Sequence, residues 1–254
     1  MSLEAYIDNN IFIEIEQKNI SKENLVSNID PNINKVFYSA AHLQEAHEIK
    51  GSPQEIKLRL QNRFETISSV TNNNYLFHEL KTKIVHRIIE KPAVVYQTIT
   101  EVSFGQSVMK GMVNNISEEQ KKVFRNGLDL EITKLNNYSP TEVIEQINAK
   151  KSAFGGYSLL GLIDHAITLF PNNEDFGLHN KFAGVFELLD LVGYWKDKYN
   201  EKSNYARLWD SNHAYFASFC DYFISDDKRT RNKANVAFQI FNVKTKVISS
   251  KGEN

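Results

Sequence analysis

Acidic side chains follow two apolar segments of this chain that lie far apart in the sequence. Asp8 directly follows segment 5–7, and Asp226 and Asp227 directly follow segment 222–225, which reads YFIS. Short apolar segments bounded by polar residues are typical of buried parallel strands. Because side chains that follow such strands gather at the carboxyl edge of a parallel sheet, we expect these acids to share one edge.

Two further acids are predicted to reach the same edge from helices. Glu45 lies one to two turns into a helix predicted after the second strand. Asp210 precedes strand 221–225 by 11 residues, which is ~16 Å of helix running away from the edge. The strand returns by about 16 Å, so Asp210 and Asp227 should finish at nearly the same level.

Carboxylates gathered in this way repel one another unless cations hold them together. Clustered oxygen ligands suit Mg²⁺ or Mn²⁺, so the pattern predicts a divalent-metal site with four ligands: Asp8, Glu45, Asp210 and Asp227. Asp226 is either a solvated neighbour of Asp227 or a water-mediated metal ligand. The same repulsion predicts that Asp8→Asn melts at the same or a higher temperature than the parent chain in metal-free buffer.

A basic run begins immediately after Asp227. It consists of Lys228, Arg229, Arg231 and Lys233. Such a run is usually a solvated helix face, but cations and helix N-terminal amides also suit phosphate. At this position the run is predicted to hold the phosphates of a substrate, with Arg229 and Lys233 on one helix face.

Simpler roles exist for several of these residues. Asp8 could only cap the helix that follows it, and His213 is expected to pack or to donate a hydrogen bond to a metal ligand rather than bind metal. His42 and His47 are five residues apart, which is poor spacing for a zinc site on one helix. Asp190 is interpreted as a partner for nearby polar groups, and an accessory role in the site is its second possible role.

The elements that would position these residues alternate between strand and helix at both ends of the chain. Segments 5–7 and 35–39 are predicted strands, and 40–50 is a predicted helix. In the middle, N-cap residues combined with Pro or with a capping box predict helix starts at Ser52, Ser117 and Ser139. The middle of the chain is therefore predicted to be mostly helical.

Composition narrows the class of protein. The 254 residues are 41% hydrophobic and 24% charged, which fits one large α/β domain or a domain with a sizeable insertion. The net charge of −1 provides no global positive field for nucleic acid. The single cysteine, Cys220, lies in an apolar run and is predicted to be core in a reducing compartment. No signal peptide or membrane span is recognised, so a soluble, cytoplasmic protein is expected.

Together these motifs resemble the PIN-domain nucleases. Ile7, Asp8 and Asn10 match the family's first motif, hydrophobic-hydrophobic-Asp-x-Asn, and Glu45 matches its second acid. The third motif, Asp-x-x-His-Ala-x-x-Ala, is matched by Asp210, His213, Ala214 and Ala217, and the fourth, Thr/Ser-x-Asp, by Ser225 and Asp227. The resemblance covers roughly residues 4–50 and 185–248.

The resemblance implies a three-layer α/β/α fold with a short parallel sheet, and we predict one PIN-like domain over 1–254 with a mostly helical insertion at 52–180. It also implies an endoribonuclease that uses Mg²⁺ or Mn²⁺ to hydrolyse phosphodiester bonds and leave 5′-phosphates. The implied partner is single-stranded or structured RNA, with no membrane partner. Whether the nucleic acid is RNA or DNA stays open.

The alternative is a catalytically silent PIN-like module that binds RNA or a protein. The four acids argue against it, whereas the neutral net charge and the large insertion favour a protein partner or a second copy of the chain bound through the insertion. Binding of Mg²⁺ or Mn²⁺ would discriminate between the two.

Overall fold

The computed structural model describes residues 2–21, 25–26, 28–99, 117–128, 130–170, 176–197 and 201–252, with the side chains of 132 and 201–205 excepted. The chain divides into two compact units. The first comprises Met1–Gln106, Phe216–Lys228 and Lys244–Asn254, and the second comprises Ser107–Tyr215 and Arg229–Val243.

The first unit is built on a six-stranded sheet. In chain order its strands are β1 (Leu3–Ile7), β2 (Ile33–Ser39), β3 (Asn74–Glu79), β4 (Ile84–Ile89), β5 (Tyr222–Ile224) and β6 (Lys246–Ile248). The strand order is β4-β3-β2-β1-β5-β6, and only the β3–β4 pair is antiparallel. The predicted α/β class with a largely parallel sheet is thus confirmed, including strands at 5–7 and 35–39.

Apolar side chains explain why β1 lies at the centre of the sheet. Ala5 and Ile7 point into one core cluster together with Tyr38, Tyr75 and Ile224. Tyr6 is fully buried on the opposite face, because successive side chains alternate along a strand. A strand buried on both faces needs a continuous apolar run. The apolar run 5–7 is the feature from which this strand was predicted.

In the ranges that the structure describes, the first unit contains four helices: α1 (Asn9–Glu16), α2 (Ala40–Ala46), α3 (Pro53–Thr71) and α4 (Pro92–Ile99). The helix start predicted at Ser52 is confirmed, and a capping box forms there, since the Ser52 N–H donates to Glu55 Oε2 at 2.8 Å and the Glu55 N–H donates to Ser52 Oγ at 3.4 Å. Cys220 is buried in this unit as predicted, with 8% exposure, and burial raises the pKa of its thiol.

Strands β3 and β4 lie within segment 52–180, which was predicted to be a mostly helical insertion. After α3, Asn72 and Asn73 adopt positive φ angles of 50° and 62° and turn the chain, and Asn74 begins β3. The β-branched residues of β4, IVHRII, favour a strand. Helix α4 also belongs to the first unit, so the helical second unit begins at residue 107 and not at 52.

The second unit is helical in its described parts. Its helices are α5 (Glu118–Leu128), α6 (Ile132–Leu135), α7 (Pro140–Ala149), α8 (Leu159–Thr168) and α9 (Leu178–Val192), together with most of α10 (Glu201–Ala217) and α11 (Lys228–Ile240). The predicted capping boxes at Ser117 and Ser139 are both formed. Gly184 lets α9 approach α8 closely, because a Cβ there would lie 2.9 Å from Ile163 Cγ2. None of the helices in the described ranges is long and apolar enough to cross a membrane.

Candidate active site at the carboxyl edge of the sheet

Strands β1 and β5 end at the same level. Ile7 pairs with Ile224, and the Asp8 N–H donates to the Ile224 carbonyl oxygen at 2.8 Å. The side chain of Ser225 then joins the two strand ends, because its Oγ donates to Asp8 Oδ2 at 2.5 Å and accepts from the Asp227 N–H at 3.2 Å. The predicted meeting of the Asp8 and Asp227 segments at one edge is therefore observed, with Ser225 as the link.

The carboxylate of Asp8 is buried and well held. It is 4% exposed and accepts from the Asn9 N–H at 2.7 Å and from Asn10 Nδ2 at 3.0 Å, in addition to Ser225. Asp8 is also the N-cap of α1. Asp8 therefore caps α1, which is one of the two roles predicted for it, and its carboxylate also lies where β1 and β5 end.

Asn10 presents an unsatisfied oxygen beside this carboxylate. Its Oδ1 is buried and has no hydrogen-bond partner in the part of the chain that the structure describes. The amide orientation is fixed, because exchanging its two ends would turn Oδ1 toward the Asp8 carboxylate. A buried acceptor without a donor is costly, and an amide oxygen next to a carboxylate is a ligand set that a hard cation accepts. The residues present therefore fit Mg²⁺ or Mn²⁺.

Glu45 reaches this region through Asn9. The Asn9 amide donates through Nδ2 to Glu45 Oε2 and accepts through Oδ1 from Arg63 Nη1 at 2.8 Å. Asn9 and Arg63 were not recognised in the sequence. The order of residues gives no signal for them, since Asn9 and Arg63 are 54 positions apart.

The charges of Asp8 and Glu45 both act on the hydroxyl of Tyr6. Burial raises the pKa of the Tyr6 hydroxyl well above its ordinary value, and the charges of Asp8 and Glu45 raise it further against a lowering hydrogen bond from Ser39. The Tyr6 hydroxyl lies 2.6 Å from Ser39 Oγ. Tyr6 therefore stays protonated beneath the edge and acts as a neutral hydrogen-bonding group.

His42 braces the ends of β1 and β2. It is fully buried; its Nδ1 accepts from the Ser39 N–H at 3.0 Å, which leaves Nε2 to donate to the Ile7 carbonyl oxygen at 2.7 Å. His47 stacks on Tyr96 with the ring centroids 4.4 Å apart. Both rings are engaged in packing and in hydrogen bonds of the first unit.

Asp226 and Asp227 have different surroundings. Both carboxylate oxygens of Asp226 accept from Ser250, one from its N–H and one from its Oγ, each at 2.8 Å. Asp226 is exposed and Asp227 is partly buried. The structure thus favours the solvated-neighbour interpretation of Asp226 over a metal-binding role.

The third predicted acid belongs to the second unit. Asp210 lies on α10 and is partly exposed, while His213 one turn later is fully buried. Within the described ranges, no group of three or more His, Cys, Asp or Glu side chains is arranged to hold a metal ion. At the edge of the first unit the structure therefore places the Asp8 carboxylate with Asn10 and Ser225, and it brings the backbone of Asp227 to the same point.

Lys233 corrects the prediction of a four-residue phosphate-binding run. It is 1% exposed and its Nζ lies 3.0 Å from Asp197 Oδ2 and 4.0 Å from Asp190 Oδ1. Arg229 also faces Asp197, at 3.9 Å, but remains 41% exposed. Lys233 is therefore an internal ion-pair partner of the second unit and not a surface contact for phosphate.

The partners of Lys233 form a buried ion cluster in the second unit. Lys121 Nζ lies 2.9 Å from Asp190 Oδ2, and Arg207 Nη1 lies 3.3 Å from the same oxygen and 3.2 Å from Asp197 Oδ2. Burial alone would raise the pKa of Asp190, but the neighbouring cations hold it below its ordinary value. Asp190 is thus a structural acid, which agrees with its interpretation as local polar satisfaction.

No protein-family model matches the chain, and comparison with curated proteins and with solved structures returned no match. The evidence on function therefore lies in the residues at the sheet edge.

Proposed function

We propose that the chain is a metal-dependent nuclease with a PIN-like, three-layer α/β/α architecture. Its reaction is hydrolysis of phosphodiester bonds, in RNA by resemblance to the family, with 5′-phosphate products. The acids of the first unit that support the proposal are Asp8, Glu45 and Asp227. Asp210 is added by the sequence pattern alone.

The observation that carries the proposal is the Asn10 oxygen. Asn10 Oδ1 is buried beside the Asp8 carboxylate and lacks a donor among the described residues. A folded protein rarely leaves such a group unsatisfied. A cation bound by Asp8 would satisfy the oxygen and neutralise the carboxylate together, which no helix-capping role explains.

The residues of the edge have separable roles. A bound Mg²⁺ or Mn²⁺ would supply an activated water and charge stabilisation for the departing 3′ oxygen. Asp8 and Glu45 would hold the cation, and Asp227 would join them from the β5 side. Ser225 holds Asp8 and the Asp227 backbone together and so links the two strand ends.

Metal binding is expected to stabilise the folded chain. Mn²⁺ at 100 times its Kd should add about 2.7 kcal/mol to the free energy of unfolding. A thermal melt with and without Mn²⁺ measures this gain, which should vanish in Asp8→Asn. An equal Mn²⁺ shift in Asp8→Asn would remove Asp8 from the metal site, and a response to Zn²⁺ alone would indicate a different site.

The exposed part of the basic run is expected to hold phosphates. Lys228 is exposed and Arg231 is partly exposed. Replacing both by Ala should weaken binding of single-stranded RNA about equally across sequences and flatten the salt dependence by roughly 1.4, at ~0.7 per phosphate contact. The slope of log Kd against log salt measures this, with Lys122→Ala on α5 as the control. An unchanged slope would make the run a solvated surface.

A silent protein-binding module is the second candidate. It is favoured by exposed apolar side chains of the β3–β4 hairpin, among them Leu80 at 68% and Ile89 at 77% exposure. Apolar exposure on an edge strand is a known liability unless a partner covers it. Binding of Mn²⁺ distinguishes the two candidates, because a catalytically silent module has no need to bind the metal.

A further inference from the structure

Arg63 and Asn9 form a chain of polar contacts that ends on Glu45. Arg63 Nη1 donates to Asn9 Oδ1 at 2.8 Å, and Asn9 Nδ2 donates to Glu45 Oε2. Arg63 is 6% and Asn9 4% exposed. The hydrogen bond between Arg63 and Asn9 is therefore shielded from water, and hydrogen bonds in such surroundings are stronger than those at the surface.

The far end of this chain of contacts is anchored by Glu16. Arg63 donates through Nε and Nη2 to the two carboxylate oxygens of Glu16, the second at 3.1 Å. A bidentate arginine–carboxylate pair fixes the plane of the guanidinium. The third nitrogen, Nη1, is thereby directed at Asn9. Asn9 and Glu16 are the first and last residues of α1, so one helix carries both contacts of Arg63.

The Asn9 amide is held from both sides. If its two ends were exchanged, Oδ1 would meet the carboxylate of Glu45 and Nδ2 would meet the guanidinium of Arg63, and both contacts would be repulsive. Arg63 therefore determines that the amide presents a donor to Glu45. One oxygen of Glu45 is consequently fixed in place by a residue of α1 and, through it, by a residue of α3.

We infer that Asn9 and Arg63 are positioning residues that hold Glu45 for metal binding at the sheet edge. This inference rests on the proposed function, because it treats Glu45 as a metal ligand. A carboxylate held in one orientation loses less freedom when a cation binds. Groups that orient metal ligands in this way commonly change metal affinity by 10- to 100-fold when they are removed.

The test is a calorimetric titration of the full chain with Mn²⁺. Asn9→Ala and Arg63→Met should each raise the Kd for Mn²⁺ by about tenfold. If both residues act through Glu45, the same substitutions made in a Glu45→Gln background should change the Kd by no more than about twofold. A merely structural loosening of α1 would instead weaken binding equally in both backgrounds, and that result would overturn the inference.

Two controls keep the test interpretable. Arg87→Met removes another arginine of the first unit, which pairs with Glu4 at 2.9 Å, and should leave the Kd for Mn²⁺ unchanged. Asn9→Ala retains the Arg63–Glu16 pair, so it provides the result if Arg63→Met does not fold. If the parent chain and both variants bind Mn²⁺ equally, the inference fails and the nuclease proposal stands. If the parent chain binds no Mn²⁺, both fail.

Discussion

Asp8→Asn should lower the cleavage rate at saturating Mn²⁺ by about 1,000-fold or more. The carboxylate is proposed to hold the metal, which supplies several kcal/mol of transition-state stabilisation, and each 1.36 kcal/mol is about tenfold in rate. Asp226→Asn is the matched control, since the Asp226 carboxylate is held by Ser250. It should cleave at the parent rate. Parent-like cleavage by Asp8→Asn would remove Asp8 from the catalytic centre.

The structure reverses the expectation for the stability of this variant. Charge repulsion alone predicted an equal or higher melting temperature. Asp8, however, accepts from Asn9, Asn10 and Ser225, and the new amide group would turn a donor toward one of these donors. We expect a loss of about 1–3 kcal/mol in metal-free buffer, measured by urea unfolding. A higher melting temperature would instead show that repulsion within the acidic edge dominates.

Arg207→Met should destabilise the second unit by about 3–5 kcal/mol, because it leaves buried carboxylates without their partner. Arg207 is 1% exposed and pairs with Glu187 at 2.9 Å in addition to Asp190 and Asp197. Lys134→Met removes an ion pair with both side chains more than 60% exposed and should cost no more than about 1 kcal/mol. Urea unfolding at neutral pH measures both. Equal costs would mean that the buried cluster contributes no more than a surface pair.

The same cluster predicts a loss of stability in acid. The pKa of Asp190 is lowered from 3.8, so its stabilising contribution is fully present above that unfolded-state value. It is lost as the pH falls below about 4 through the lowered folded-state pKa. The free energy of unfolding of Asp190→Asn should therefore depend less on pH in that range than that of the parent chain. Parallel pH profiles would contradict this assignment.

The acidic edge was predictable because its signal is local. Asp8 directly follows a buried strand, and the apolar run 222–224 precedes Ser225 and Asp227. The order of the elements then implied parallel strands, whose carboxyl ends share an edge. The pairing of Ile7 with Ile224 confirms that prediction. The role of Ser225 as the link could not be predicted from the sequence, because either neighbouring acid could have accepted a hydrogen bond from its hydroxyl.

The β3–β4 hairpin was missed because its strands contain charged residues that local patterns assign to a surface. Arg87 on β4 contacts Glu4 and lies 5.9 Å from the centre of the Phe37 ring. Both partners come from segments far away in the sequence. Helix-start signals on either side of the hairpin then extended the helical prediction across a span that also contains these two strands.

Lys233 and Arg63 show the same limit for ion pairs. The spacing of Lys233 after Arg229 placed both on one helix face, but their partner Asp197 lies 36 residues before Lys233. Arg63 is one of several charged residues in α3, and nothing in the sequence of that helix distinguishes it from the others. Lys233 and Arg63 form internal ion pairs because both side chains are buried. Burial depends on tertiary packing, which the spacing of residues along the chain does not reveal.

Incubation of the full chain with end-labelled RNA and DNA in Mn²⁺ tests the nuclease proposal most directly. Cleavage should require the metal, leave 5′-phosphates and disappear in Asp8→Asn. A ligation assay identifies the 5′ ends, because products with a 5′-phosphate are ligated without prior phosphorylation. Intact RNA and DNA after incubation with a folded chain that binds Mn²⁺, or products with 5′-hydroxyl ends, would contradict the proposal.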